Sequence, residues 1–299
     1  MLGIKTLALS ITVAILWKLY SKDTKELCPE TPPHLKGKID VALRTPPLEW
    51  PALEAKYKPI NALGGLNSPK ECQARHKVAI IIPCTNRDSH LRKLLDHLHP
   101  LLQKQQLDYG IYVVEQLGSF EFNRGLSLNI GYAFVEDLHL NYHCYIFHDV
   151  DLLPDNDQNL YTCPTQPRHL SARNSLYKKG SLYEDYFGGC FAISTDHFAL
   201  INGFSNRFWG WGGEDDDIRK RLLNKHLEIT RYPLDIASYT AIPHKRPTEN
   251  PDRLKIQIEN FKLFDVDGLN SLKGLYDIQT VKPTYTHTLI SFIVNKQQD

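Results

Sequence analysis

Two acid-rich stretches hold the residues best suited to chemistry. In YIFHDVDLLPDND, residues 145–157, an apolar run ends in Asp149-Val150-Asp151. In extended chain, positions i and i+2 face the same side. Two carboxylates so placed repel each other unless a cation lies beside them. Oxygen ligands without soft partners suit Mg²⁺ or Mn²⁺, and a diphosphate would supply the counter-charge. The bland alternative is a solvated acidic turn. The second stretch is RFWGWGGEDDDIRKRL, residues 207–222, in which Glu214, Asp215, Asp216 and Asp217 open a helical pattern. The helix dipole favours acids in a first turn and accounts for one or two of them. It does not account for four, nor for Trp209 and Trp211 interleaved with Gly210, Gly212 and Gly213. Indoles offer the flat faces and N–H groups that sugar sites use. Glycines beside them permit a mobile lid. Arg124 in FNR is a phosphate or carboxylate partner if an acid-lined cleft surrounds it, and a surface ion pair otherwise. His244, in a proline-rich loop, reads by itself as a surface histidine.

Elements must bring these groups together. KVAIIIP, from Lys77, is a continuous β-branched run, as in a strand buried on both faces. SHLRKLLDHLHPLLQKQQ repeats leucine at helical spacing, with Ser89 as its expected cap. YGIYVVEQ is a second strand, FNRGLSLNIGYAFVED a helix with Leu126, Ile130 and Phe134 on one face, and CYIFHDVD a third strand. This alternation predicts βαβ crossovers and a mostly parallel sheet. Ligands of such sheets bind beyond the carboxyl ends of the strands, where Asp149, Asp151, Thr85 and Arg87 fall. Farther on, YFGGCFAIS reads as a strand with a glycine bend and the C-terminal stretch as closing strands. Residues 21 to about 70 read as a short stem and irregular wrapping.

The 299 residues have a net charge of +1 and no long basic block, which argues against nucleic-acid binding. TLALSITVAILW, Thr6–Trp17, lacks charge and lies between Lys5 and Lys18. No small-residue cleavage site follows it, so an uncleaved membrane anchor is favoured over a removed or interfacial segment. Six cysteines form no C-x-x-C pair, which disfavours a zinc ribbon.

Together, FNRGLSLNIGY, FHDVDLLPDND, YFGGCFAIS, INGFSNRFWGWGGEDDDIRKRL and DGLNSL resemble the β-1,4-galactosyltransferases. The resemblance runs from about Cys28 to near the C-terminus. It implies an α/β, GT-A-like fold with a mostly parallel central sheet behind one N-terminal transmembrane helix. The implied layout is a cytosolic tail (1–4), a signal anchor (5–20), a stem (21–27) and a lumenal catalytic domain (28–299) in a single-pass type II Golgi membrane protein. Within that domain, residues 28–160 would bind nucleotide, and 161–299 acceptor and metal. The implied reaction is inverting, Mn²⁺-dependent transfer of galactose from UDP-galactose to the 4-hydroxyl of terminal N-acetylglucosamine on a glycan acceptor.

By position, Asp215 would be the catalytic base and Glu214 would orient the sugars. Pro83, Thr85, Arg87, Phe122, Arg124, Asp149, Val150, Tyr186, Trp211 and Gly212 would bind donor. Tyr183, Trp211, Gly213, Asp215, Asp216 and Arg253 would bind acceptor. Asp151 and His244 would ligate metal. The resemblance also implies the pairs Cys28–Cys72 and Cys144–Cys163. Three positions depart from the family pattern. Ala241 stands where the family has a methionine ligand, which would shift the site toward harder cations such as Mg²⁺. Thr85 replaces an arginine, and Leu254 an aromatic residue. Tyr186 would crowd the sugar's C2 substituent and favour galactose. The alternatives are transfer of N-acetylgalactosamine or N-acetylglucosamine, and an inactive sugar-binding relative.

Overall fold

The computed structural model describes residues 25–41, 46–177, 183, 185–245 and 248–295. The expected anchor at 5–20 lies outside them. Among the described residues no helix is long and apolar enough to cross a membrane.

The chain enters through α1 (Trp50–Tyr57), a helix in the stretch expected to be irregular. Pro51 sits at its start, where a missing N–H costs nothing. Then come β1 (Lys77–Cys84), α2 (Asp88–Lys104), β2 (Asp108–Leu117), α3 (Arg124–Asp137) and β3 (Cys144–His148). In β1 alternate residues serve two cores. Val78, Ile80 and Ile82 pack with the α2 leucines, while Ala79 and Ile81 pack with Leu126, Leu128 and Ile130 of α3. The three isoleucines are fully buried, each stabilising by about 1.5–3 kcal/mol. The helix α2 starts at Asp88, and its cap position, Arg87, makes no side-chain cap bond. Ser89 therefore lies inside the first turn and is not the cap.

The second half adds β4 (Leu152–Pro154), β5 (Arg168–His169), β6 (Arg173–Asn174), β7 (Cys190–Ser194), α4 (Thr195–Leu200), α5 (Glu214–Asn224), β8 (Thr230–Arg231), β9 (Ser238–Ala241), α6 (Arg253–Asn260), β10 (Tyr276–Pro283) and β11 (Thr288–Val294). The main sheet runs β10-β11-β2-β1-β3-β7-β5-β8, and a small sheet runs β4-β9-β6. The sheet is mixed, which corrects the expectation of a mostly parallel one. Its centre, β11-β2-β1-β3, is parallel. On one flank the hairpin partner β10 is antiparallel to β11, and on the other β7 is antiparallel to both β3 and β5. The β1–β2 and β2–β3 connections pass through helices, which permits parallel strands. The short turn at 284–287 forces an antiparallel pair.

Disulfides join Cys28 to Cys72 and Cys144 to Cys163. Cys84 and Cys190 are free and buried.

Candidate active site

The site lies where β1 and β3 end. After His148 the chain does not stay extended: Asp149–Asp151 is a turn, in which Leu152 N–H donates to the Asp149 carbonyl at 3.4 Å. The same-side reading of the two acids is therefore corrected, because they serve different partners. Asp149 Oδ1 accepts from Arg124 Nε at 2.7 Å, and Asp151 Oδ2 lies 2.8 Å from His244 Nε2. The turn rests on a buried polar chain that sequence reading missed. His148 Nδ1–H donates to the Asp149 carbonyl (2.8 Å), and Nε2 accepts from Tyr161 (2.9 Å), whose hydroxyl meets that of Tyr239 (2.8 Å). Burial holds the His148 pKa at about 4, so the ring is neutral. No local pattern marks it, since the tyrosines it meets, Tyr161 and Tyr239, are 13 and 91 residues away along the chain.

Arg124 is the first residue of α3, whose cap Asn123 accepts from Leu126 N–H at 2.9 Å. Its Nη1 donates to Asp215 Oδ1 at 3.0 Å, and Glu214 Oε1 is 3.8 Å away. One guanidinium thus links the turn after β3 to the start of α5. Its Nη2 is buried and has no hydrogen-bond partner among the described residues. Burial disfavours the Arg124 cation, but Asp149, Asp215 and Glu214 outweigh it and raise its pKa well above the usual value. The pKa of Asp215 is raised well above the ordinary carboxylate range. Burial is the main cause, Arg124 opposes it, and Glu214, Asp149 and Asp216 add to it. Burial also raises the pKa of Glu214.

Gly213, with φ of +104°, caps α5 in a conformation that side chains disfavour. It divides the acids. Asp216 accepts from the Tyr183 hydroxyl and from Gln257 Nε2. Asp217 turns inward to Arg221 Nε (2.7 Å) and Asn260 Nδ2 (3.1 Å), fully buried. Asp217 is thus structural and not part of a four-acid cluster facing a ligand. Gly188 lies against Asp215, since a Cβ built there would collide with the carboxylate's Oδ2. The Tyr186 hydroxyl donates to the same oxygen at 3.4 Å, and its ring packs edge-on to His169 and Tyr183.

One cavity of about 850 Å³ brings together every expected site residue: Pro83, Thr85, Arg87, Phe122, Arg124, Asp149, Val150, Asp151, Tyr183, Tyr186, Trp211, Gly212, Gly213, Glu214, Asp215, Asp216, His244 and Arg253. Glu121, Asn174 and Glu249, not expected from sequence, also line it. Its wall carries seven carboxyl groups against three guanidinium groups. Asp151 and His244 fit a cation. At metal–ligand distances of about 2.1 Å, adjacent corners of an octahedron lie about 3 Å apart, close to their separation. Burial and Asp149 raise the Asp151 pKa, with His244 opposing. A bound cation relieves that cost. Among the described residues no third His, Cys, Asp or Glu joins the pair.

Residues 28–164 match the family described as the N-terminal region of glycosyl transferase group 7. Residues 168–245 match the N-terminal domain of galactosyltransferase. β-1,4-Galactosyltransferase 4 of Cricetulus griseus is 44% identical over 272 residues, 89% of this chain and 77% of the relative. The chain belongs to the β-1,4-galactosyltransferase family. It is accordingly a glycosyltransferase, and it is also 44% identical to human β-1,4-galactosyltransferase 1 over 269 residues, 88% of this chain and 66% of that one. Drosophila β-1,4-galactosyltransferase 7, solved as a mutant with manganese, UDP-Gal and xylobiose, superposes with a TM-score of 0.62 at 28% identity. The match covers 74% of this chain and 95% of that structure. The GT-A-like fold follows from this superposition.

Proposed function

We propose that the protein transfers galactose from UDP-galactose, with inversion, to the 4-hydroxyl of a terminal N-acetylglucosamine, using Mn²⁺ at Asp151 and His244. One observation carries this reading: a buried aspartate of raised pKa, Asp215, shares a cavity and an arginine with the turn that presents Asp151 to His244. A base that holds its proton more tightly than ordinary aspartate is matched to deprotonating a sugar alcohol as the anomeric carbon is attacked. Bound Mn²⁺ would neutralise the departing diphosphate. Arg87 and Arg124 then meet phosphate or sugar oxygens, and Trp211 and Arg253 flank the acceptor side. Tyr186, held between Asp215 and two rings, leaves little room for an N-acetyl group at C2 of the donor. The Drosophila neighbour, solved with manganese and UDP-Gal, supports the donor and the cation. The acceptor is the family's. A membrane-anchored, lumenal Golgi location is part of the proposal, supported by the apolar Thr6–Trp17 stretch and by disulfides suited to an oxidising compartment.

The test is a matrix of UDP-sugars against sugar acceptors, with Mn²⁺ or Mg²⁺, for the parent chain and Tyr186→Leu. UDP-galactose with an N-acetylglucosamine acceptor should give the fastest turnover. The variant should gain N-acetylgalactosamine transfer at least tenfold, since steric exclusion of a substituent commonly exceeds the ~1–3 kcal/mol of a lost contact. Parental preference for another donor, or an unchanged ratio in Tyr186→Leu, would refute the corresponding part.

A further inference from the structure

The two-residue strands β5 and β8 close one edge of the main sheet, beyond β7. Their register sets His169 beside Phe191 of β7 on one side and Arg231 of β8 on the other. Arg168 and Tyr232 fasten the same two strands: the guanidinium lies 4.4 Å from the Tyr232 ring and donates to its hydroxyl at 2.8 Å. His169 and Arg231 in turn hold the segment that leads into β7 at two carbonyls. Arg231 Nη2 donates to the Tyr186 carbonyl at 3.0 Å. His169 Nε2–H donates to the Gly188 carbonyl at 2.9 Å, which also accepts from Ser171 Oγ at 2.8 Å. A carbonyl only accepts and a guanidinium only donates. The ring hydrogen is therefore on Nε2, while Nδ1 accepts from Arg231 Nε at 3.3 Å. One tautomer satisfies both partners. Burial, aided by the Arg231 cation, holds the His169 pKa at about 3, so the ring is neutral.

The imidazole also backs the Tyr186 ring. Their centroids are 5.6 Å apart with the planes at 75°, and Phe187 lies 5.5 Å from the imidazole. Tyr186 lines the cavity, whereas His169 is 1% exposed and does not line it. The two rings therefore meet on the side of Tyr186 away from the cavity. A tyrosine excludes a bulky group only if it cannot swing aside. The hydroxyl contact to Asp215, at 3.4 Å, is too long to hold the ring by itself. Tyr183, the other ring beside it, is 40% exposed and has solvent to move into. The buried imidazole has none, because a packed interior resists displacement.

We propose that His169, held by Arg231, is a positioning residue for donor choice: it blocks the retreat of Tyr186, so that the cavity rejects a C2 substituent larger than hydroxyl on the donor sugar. This rests on the reading of Tyr186 as the residue that meets that carbon. His169 itself touches no substrate; it acts through the tyrosine ring in front of it and through the backbone on either side of Phe187.

The experiment measures kcat/KM of the full chain for UDP-galactose and UDP-N-acetylgalactosamine, with Mn²⁺ and an N-acetylglucosamine acceptor. The forms compared are the parent, His169→Gln, His169→Phe, Arg231→Gln and Tyr186→Leu. Glutamine keeps a donor for the Gly188 carbonyl but puts no ring behind Tyr186; phenylalanine keeps the ring and loses the donor. His169→Gln should raise the ratio of N-acetylgalactosamine to galactose transfer about fivefold or more, the size of effect one altered pocket contact produces. His169→Phe should stay within about twofold of the parent, well inside that range. Arg231→Gln, at an exposed position where folding is not at risk, should raise the ratio by about twofold or more, as a weaker version of the same change. A merely structural role would lower both donors together and leave the ratio where it was. An unchanged ratio in both His169→Gln and Arg231→Gln would overturn the proposal, as would a rise in His169→Phe equal to that in His169→Gln. Where His169→Gln fails to fold, Arg231→Gln decides alone. UDP carries no sugar, so its binding, followed by tryptophan fluorescence, should match the parent in Arg231→Gln; its loss there would also count against a role confined to the sugar. Tyr186→Leu separates this from the proposed function. A ratio that rises in Tyr186→Leu but in neither partner variant refutes only the role of His169, whereas a ratio that rises in none of them refutes the reading of Tyr186 as well.

Discussion

In the proposed mechanism Asp215 must be charged to accept a proton, and its surroundings oppose that charge. Burial is the largest influence, three neighbouring acids add to it, and Arg124 alone works against them. The acid limb of the kcat/KM profile should therefore lie above the ordinary carboxylate range, and Asp216→Asn, which removes one neighbouring negative charge, should move it down. Asp215→Asn should lower turnover by about 10²–10⁴-fold. The stability sign follows from the raised pKa. The favourable state of Asp215 is fully present below the unfolded pKa and is lost as pH rises through the folded value. Melting temperature should fall over that rise in the parent and fall less in Asp215→Asn. A profile with its limb at the usual aspartate pKa would refute the assignment. At this scale the sequence was partly legible. The types and spacing of Asp149 and Asp151 marked a site, but a two-residue alternation said nothing of the turn that sends one to Arg124 and the other to His244. Glu121 and Asn174 were invisible because only the folded chain brings them to the cavity.

The helix α5 places its acids by rotation. Glu214 and Asp215 face Arg124, Asp216 faces Tyr183, and Asp217 lies under the helix against Arg221. Both members of the last pair are fully buried in side chain. Replacing Asp217 with Asn leaves the Arg221 cation in the core with the more distant Asp267 carboxylate, 3.4 Å away, as its remaining acidic partner. Breaking such a pair typically costs about 3–5 kcal/mol. Denaturant unfolding should show a loss of that order, while Asp216→Asn, at the cavity edge, should change stability by less than ~1 kcal/mol. Elements with a strong period were readable: β1, α2, β2, α3 and β3 all stand where apolar spacing put them. The helix α1 was missed because prolines surround it, although proline is tolerated in a first turn. The antiparallel entry of β7 could not be read from CFAIS, because strand direction is fixed by the route the chain takes back to the sheet.

At the scale of the molecule, the turns after β1 and β3 bring Arg87 and Asp149 from the parallel centre, while Asp215 of α5 follows the antiparallel strand β7, so the cavity falls on the seam between them. The Cys144–Cys163 bridge closes a 19-residue span that begins at the first residue of β3 and contains the whole Asp149–Asp151 turn. A loop of that length is worth about 3 kcal/mol of stability in the chain-entropy account. Handling conditions therefore bear directly on this enzyme. Dithiothreitol or a reducing bacterial cytoplasm would loosen the segment that presents both acids, and purified protein kept in thiol should lose transfer activity faster than it loses helical circular dichroism. Cys84 and Cys190 should contribute little to that decline: both are sealed in the interior, and burial pushes the Cys84 thiol up to about 12, so neither has thiolate to exchange at neutral pH.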